Sequence, residues 1–229
     1  LGDVYKRQGI SLATHIAKCA GVSDRKLGDI ESDIKSLNAK SFPVLDDARG
    51  EEMAQRILKA REEADSVGGV TETVICGTPA GVGEPWFDSV ESVISHAAFS
   101  LGGVKGVEFG AGFAVADMKG SECNDPLRVS GGRIVTTTNN NGGINGGITN
   151  GMPIVFRCAV KPTPSIAQQQ DTVDFIKNEN TQLSIHGRHD PAIIRRICPV
   201  LDSVAALCVA DMLSLRYGTD VLTKGVDDK

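Results

Sequence analysis

The chain has 229 residues, 41% of them hydrophobic and 23% charged, with a formal net charge of -5. That length and balance supply a sizeable buried core, in one large domain or two small ones, and exclude a disordered chain. With no long basic run, the acidic balance gives no drive toward nucleic acid or an anionic membrane, so an anionic ligand has to be held by local groups.

Residues 1–8 (Leu1 to Gln8) have neither the apolar core of a signal peptide nor a helical period, and read as a non-native leader. Glu51 to Ser66 combines helix formers with apolar Met53, Ile57, Leu58 and Ala64 at helical spacing, which predicts an exposed amphipathic helix ending at Gly68-Gly69. Gly69 to Cys76 alternates apolar and polar residues, as a half-buried strand does. After Pro85, the positions Val90, Val93, Ile94, Ala97, Ala98 and Leu101 form one apolar helix face, closed by Gly102-Gly103.

Val104 to Val107 and Gly112 to Met118 read as short strands, and Gly120 to Asn141 as a polar, turn-rich, mobile excursion. Pro153 to Val160 is β-rich, and Pro191 to Arg216 predicts one long apolar helix. Ile193 to Leu215, the most apolar segment, carries Arg195, Arg196, Asp202 and Asp211, so no membrane-spanning helix is expected. Strands mixed with long helices, without regular βαβ spacing, point to a layered α+β or α/β domain. The six cysteines form no Cys-x-x-Cys pair, which excludes a zinc ribbon and favours reduced thiols and a cytoplasmic location.

Three segments have the composition of a binding site. Asn141 to Gly151 holds five glycines, which let backbone N–H groups approach a ligand or, equally, form tight turns of a hairpin. It lacks the Gly-Lys-Ser/Thr ending of a phosphate loop. Lys161-Pro-Thr-Pro-Ser165 sets a cation and two hydroxyls on a stiffened backbone, suited to an anionic cofactor or simply to a strand exit. In His186-Gly-Arg-His-Asp-Pro191, Asp190 reads as a helix N-cap with Pro191 at the first helical position. Arg188 then adds a bidentate fork where a helix N-terminus already favours anions. His186, His189 and Asp190 are alternative metal ligands, while His15 stands alone and His96 reads as a core histidine.

Taken together, Cys76-Gly-Thr-Pro-Ala-Gly-Val-Gly-Glu-Pro85, Val104-Lys-Gly-Val-Glu-Phe-Gly110, Gly142 to Gly151, Lys161 to Ser165 and Gly187-Arg-His-Asp-Pro191 resemble chorismate synthases in order and spacing. The resemblance covers residues 9–217, leaving 218–229 as a polar tail. It implies an α+β sandwich of helices between antiparallel sheets, truncated at the N-terminus. The implied enzyme is a lyase that eliminates phosphate and a proton from 5-enolpyruvylshikimate 3-phosphate, giving chorismate for aromatic amino acid biosynthesis. It further implies reduced FMN, an association with NADP, a cytoplasmic homotetramer, and no nucleic-acid or membrane partner.

By position, the resemblance assigns cofactor binding to Gly102, Gly103, Gly146, Lys161, Pro162, Thr163, Pro164, Ser165 and Arg188, and catalysis to Asp190, aided by Arg188. Departures are Gly102-Gly103, where the family has Asn-Ala or Pro-Ala, and Asp202, where it commonly has Glu. The family's Gly-x-Ser-His-Gly segment, substrate arginines, second catalytic histidine and Arg-Ala-Ser segment have no counterpart here. The expectation is half an active site and a chain inactive by itself. The alternatives are a non-catalytic flavin or phosphate-binding module, and a metal-dependent hydrolase built on His186, His189 and Asp190.

Overall fold

The computed structural model describes residues 9–187 and 189–221; residues 1–8, expected as a leader, and most of the expected tail 218–229 lie outside them, as does Arg188. In chain order the elements are β1 (Ser11–Cys19), β2 (Val22–Ser23), α1 (Ile30–Leu37), α2 (Asp47–Glu62), β3 (Gly69–Cys76), α3 (Val90–Phe99) and β4 (Val104–Phe109). A short α4 (Gly120–Cys123) precedes two hairpins, β5 (Leu127–Ser130) with β6 (Arg133–Thr136) and β7 (Ile144–Asn145) with β8 (Ile148–Thr149). Then come β9 (Ile154–Val160), the hairpin of β10 (Gln170–Asp174) and β11 (Glu179–Leu183), and α5 (Ile194–Tyr217).

The central sheet has the order β2-β1-β3-β9-β4, and every pairing is antiparallel. Side chains alternate between its faces, so each inner strand serves two layers. Leu12, Ile16, Ile75, Ile154, Phe156 and Cys158 point into the main core, where α3 supplies Val90, Ile94 and Ala98. The same core receives ten buried residues of α5, from Ile194 to Leu213 at helical spacing. At about 1.5–3 kcal/mol for each large apolar side chain fully buried, this interface dominates the stability of the fold. Ala13 and Val74 face the other way, onto Ile34 and Leu37 of α1.

α5 is the one described helix long and apolar enough to cross a membrane, but its apolar stripe is what packs on the sheet. Facing β1, its Asp202 lies against Thr14, whose hydroxyl meets that of Thr73 at 2.8 Å. Burial pushes the Asp202 carboxyl up to about 6, with the neighbouring Thr14 opposing the shift.

The α+β class, β3, the helix after Pro85 and the β-rich run to Val160 match the expectations from sequence. Other expectations are corrected. The helix expected from Glu51 to Ser66 begins earlier, at Asp47, because the Asp46 carboxylate accepts N–H groups from Ala48 (2.9 Å) and Arg49 (3.3 Å) and caps it. β3 is a central strand covered on both faces, not a half-buried one. Gly112 to Met118 is not a strand: Gly112–Asp117 is a 3-10 turn, since Gly110 and Gly112 take positive φ and the Glu108 carboxylate captures the Phe113 N–H at 3.0 Å.

Within Gly120 to Asn141 the chain forms α4 and a hairpin, and Asp125 holds the segment that follows β6. Its carboxylate accepts from the Thr138 hydroxyl (2.7 Å) and from the Asn140 (2.7 Å) and Asn141 (2.9 Å) N–H groups. α5 starts three residues after Pro191, and its N-cap position, Ile193, makes no side-chain capping bond. His15 does not stand alone, because it is buried between Asp24 and Glu72. His96 is exposed rather than in the core.

Candidate active site

Three chain segments converge beside the start of α5. The exit of α2 turns through Ala64, Asp65 and Ser66, and the strand exit after β9 runs from Lys161 to Ala167. The third is the approach to α5, from Ile185 to Pro191. Backbone bonds fasten them: Val67 N–H donates to Pro191 O (2.8 Å), Ala167 N–H to Ala64 O (3.2 Å) and Lys161 N–H to Gly103 O (2.9 Å). The Ser66 hydroxyl donates to Thr163 O at 2.6 Å, and His189 Nε2 lies 3.2 Å from Ile185 O.

Between these segments lies a cleft of about 1030 Å³, lined by Ser66, Ser165, Gly187, His189 and Asp190 among others. Arg61, Arg195 and Arg196 stand on its walls. The Asp190 carboxylate is half engaged. Oδ1 accepts the Ala192 N–H at 3.1 Å and Oδ2 lies 3.2 Å from Arg196 Nε, with a quarter of the side chain exposed. Asp190 therefore closes a turn over two residues ahead of α5 and does not cap the helix, as the sequence had suggested.

The remaining assigned residues fall into two groups. Gly103, at φ +101°, packs so tightly on Ile193 that an added Cβ would stand 2.8 Å from Ile193 Cδ1, which places the Gly102-Gly103 turn and Lys161 at the same end of the fold as Asp190. Thr163 Oγ1, close to this end, is buried without a hydrogen-bond partner among the described residues. Gly146 is elsewhere. It sits in the β7–β8 turn, and its neighbour Gly147 accepts the Val90 N–H (3.0 Å) at the opposite end of α3, about 15 Å away by helical rise. The glycine-rich run forms a hairpin, and a Cβ added to Gly146 would meet nothing within 4 Å.

Sequence reasoning passed over Arg61, Arg195 and Arg196 as cleft residues. Arg195 and Arg196 follow Pro191 at one helical turn, a spacing that could have signalled them. Arg61 carries no such signal, because only tertiary packing turns this part of α2 toward the cleft. Among the described residues no group of three or more His, Cys, Asp and Glu is placed to hold a metal ion, which removes the support for the hydrolase reading.

The sequence matches the family model for chorismate synthase over residues 3–214. The chain belongs to the chorismate synthase family. A chorismate synthase from Methanosarcina acetivorans is 43% identical over 215 residues, covering 94% of this chain and 58% of that protein. The chorismate synthase of Pyrococcus abyssi is 42% identical, covering 93% and 59%. A crystal structure of chorismate synthase superposes with a TM-score of 0.75 at 27% identity, covering 94% of this chain and 60% of the other. The chain thus spans a little under 60% of the length of these relatives.

Proposed function

We propose that this chain contributes the Asp190 side of a chorismate synthase active site, which eliminates phosphate and a proton from 5-enolpyruvylshikimate 3-phosphate with reduced FMN. The observation that carries this reading is the convergence of Ser165, Asp190 and three arginines on one cleft. In an acidic chain, Arg61, Arg195 and Arg196 concentrate positive charge where a phosphorylated, carboxylated substrate or a flavin phosphate needs it.

The residues fit a flavin mononucleotide. Thr163 has an unused buried hydroxyl, Ser165 faces the cleft, and the Lys161 backbone is pinned to Gly103. Lys161 to Ser165, with Gly102, Gly103 and Arg188, would hold such a group, and Gly146 could touch the same molecule only if it lies extended along α3. When bound, the reduced flavin supplies the electron-rich ring that assists loss of the phosphate ester.

Everything else falls to protein groups. Asp190 accepts and passes a proton at its cleft-facing carboxylate, oriented by the Ala192 N–H and Arg196. Arg188, expected to stabilise the departing phosphate, lies outside the described residues. The loops from Ala64 to Ser66 and from Ser165 to Ala167 wall the cleft against water. A homotetramer, a cytoplasmic setting and an association with NADP belong to the same reading.

Two measurements test it. Quenching of FMN fluorescence by the purified chain should weaken about tenfold in Thr163→Val, as expected for loss of one hydrogen bond to a charged group. Joined to the part of the Methanosarcina relative that it does not cover, the chain should form chorismate anaerobically with reduced FMN. There, Asp190→Asn should lower kcat about 100-fold, in the range for general acid–base groups. Wild-type turnover by Asp190→Asn would remove the proposed role.

A further inference from the structure

Both ring nitrogens of His15, which is 1% exposed, face carboxylate oxygens: Nδ1 stands 2.9 Å from Asp24 Oδ2 and Nε2 stands 3.2 Å from Glu72 Oε1. A neutral imidazole has one N–H and one lone pair, so it satisfies one carboxylate and turns its lone pair on the other. The shared proton has no better home. Asp24 already accepts N–H groups from Leu45 (2.6 Å), Asp46 (2.9 Å) and Arg25 (2.8 Å), all favouring its ionised form. The second oxygen of Glu72 lies 3.4 Å from Arg157 Nη1. Geometry therefore places the positive charge on His15.

That imidazolium joins two parts of the fold. Pro43 to Asp46 leads into α2, and its first residue is tied to β1 directly, because Pro43 O accepts the Ile16 N–H at 2.8 Å. At its other end, the N–H groups of Leu45 and Asp46 reach the sheet through Asp24 and His15. We propose that His15 is a pH-sensitive latch: as imidazolium it fastens the Leu45–Asp46 turn and the start of α2 to the central sheet, and on losing its proton it releases them. The far end of α2 carries Leu58 and Arg61 into the cleft, so the latch acts on a wall of the candidate site.

The charged groups facing His15 come from every element packed around it. Asp24 follows β2, Arg25 and Asp33 form a pair beside α1, and Asp46 precedes α2. Glu72 lies on β3, and beyond it Arg157 on β9 and Glu108 on β4 continue the row, with Arg157 Nε 2.6 Å from Glu108 Oε1. Burial alone would lower the His15 pKa, but the hydrogen bonds and charges of Asp24 and Glu72 outweigh it and hold it above the ordinary imidazole value. The latch is therefore fully closed below the ordinary value and opens as pH rises through the higher, folded one.

The test uses the full 229-residue chain. Ring 15N shifts of His15 and amide exchange at Leu45 and Asp46 are followed by NMR from pH 5 to 9, with exchange corrected for its intrinsic pH dependence. Below the ordinary imidazole value both ring nitrogens should show the protonated shift, and His15 should titrate above that value. As His15 titrates, corrected exchange at Leu45 and Asp46 should accelerate at least tenfold with the same midpoint. In His15→Gln it should be fast and flat throughout. A His15 that titrates at or below the ordinary imidazole value, corrected exchange that stays level through its titration, or a pH step surviving in His15→Gln overturns the latch. The first two outcomes are read on the wild-type chain, so the decision does not depend on the variant folding.

Discussion

Gly69 passes beneath Ile194 so closely that a methyl group added to it would stand 2.5 Å from Ile194 Cδ1 and also collide with the backbone of Lys18. This contact sets how near the start of α5, and with it Asp190, can approach the sheet. Gly69→Ala must push α5 outward or part β1 from β3. We expect a loss of about 2–3 kcal/mol, seen as a fall in Tm of about 5–10 °C by calorimetry. An unchanged Tm would show that the helix–sheet contact is looser than described.

Glycines of the glycine-rich run separate into two kinds. A Cβ on Gly142 would stand 2.5 Å from Gly110 N and 2.8 Å from Val155 O, both backbone atoms, whereas a Cβ on Gly146 meets nothing within 4 Å. Gly142→Ala should destabilise the chain by about 2–4 kcal/mol in urea unfolding, the range for steric overpacking plus left-handed strain. Gly146→Ala, at φ +60°, carries only the conformational cost of about 1–2 kcal/mol. It should nevertheless weaken FMN binding if that glycine touches the cofactor. Undiminished FMN affinity in Gly146→Ala would leave the hairpin with a purely structural role.

Asp202 opposes folding once ionised. Its carboxyl, raised from 3.8 to about 6 by burial, holds a proton more tightly in the folded chain than in the unfolded one. The contribution of this carboxyl to stability therefore falls as pH rises from about 4 to 6 and then levels off. Asp202→Asn removes this penalty and should raise Tm at pH 8 by about 3–8 °C, from a ceiling of roughly 3 kcal/mol, with little effect below pH 4. A Tm difference independent of pH would contradict the assignment.

The charged row on the other face has the opposite acid response. Burial would raise the carboxyls of Asp24 and Glu72, but the bonds to His15 outweigh it and hold both below their usual values, aided by the Leu45 and Asp46 amides for Asp24 and by Arg157 for Glu72. Their contribution is present above the ordinary carboxylate range and is lost as pH falls through the lower folded values. Arg157→Met leaves Glu72 and Glu108 without their shared cation and should cost about 2–3 kcal/mol near pH 7. The gap from wild type should close in denaturant titrations as pH falls through the lowered folded value of Glu72. A gap that persists below that value would assign the loss to packing of the Arg157 stem.

The legible parts of the fold are those whose residues announce their own neighbours. α3 carries its apolar face at three- and four-residue spacing before Gly102-Gly103, and β9 is a β-branched and aromatic run closed by two prolines. β1 gives no such signal, because His15 and Lys18 interrupt its apolar pattern and His15 is made tolerable only by Asp24 and Glu72, nine and 57 positions away. Asp190 illustrates the limit at the site. An Asp-Pro pair before an apolar run spells a cap, yet the carboxylate is drawn instead to Ala192 and Arg196, partners set by how the approach loop docks. Motif order identified the family, whereas Arg61 became visible at the cleft only through packing.

The order of strands has a consequence for synthesis on the ribosome. β3 and β4 do not touch, and each is completed by β9, which is inserted between them. Until residue 160 has left the exit tunnel, both present unpaired strand edges, and α3 has only part of its sheet to rest on. The nascent chain must carry this open arrangement for some 50 residues after β4 appears, a delay of a few seconds at typical elongation rates. Edge pairing with other chains is most exposed in that interval, and the cleft beside Asp190 is among the last features to form.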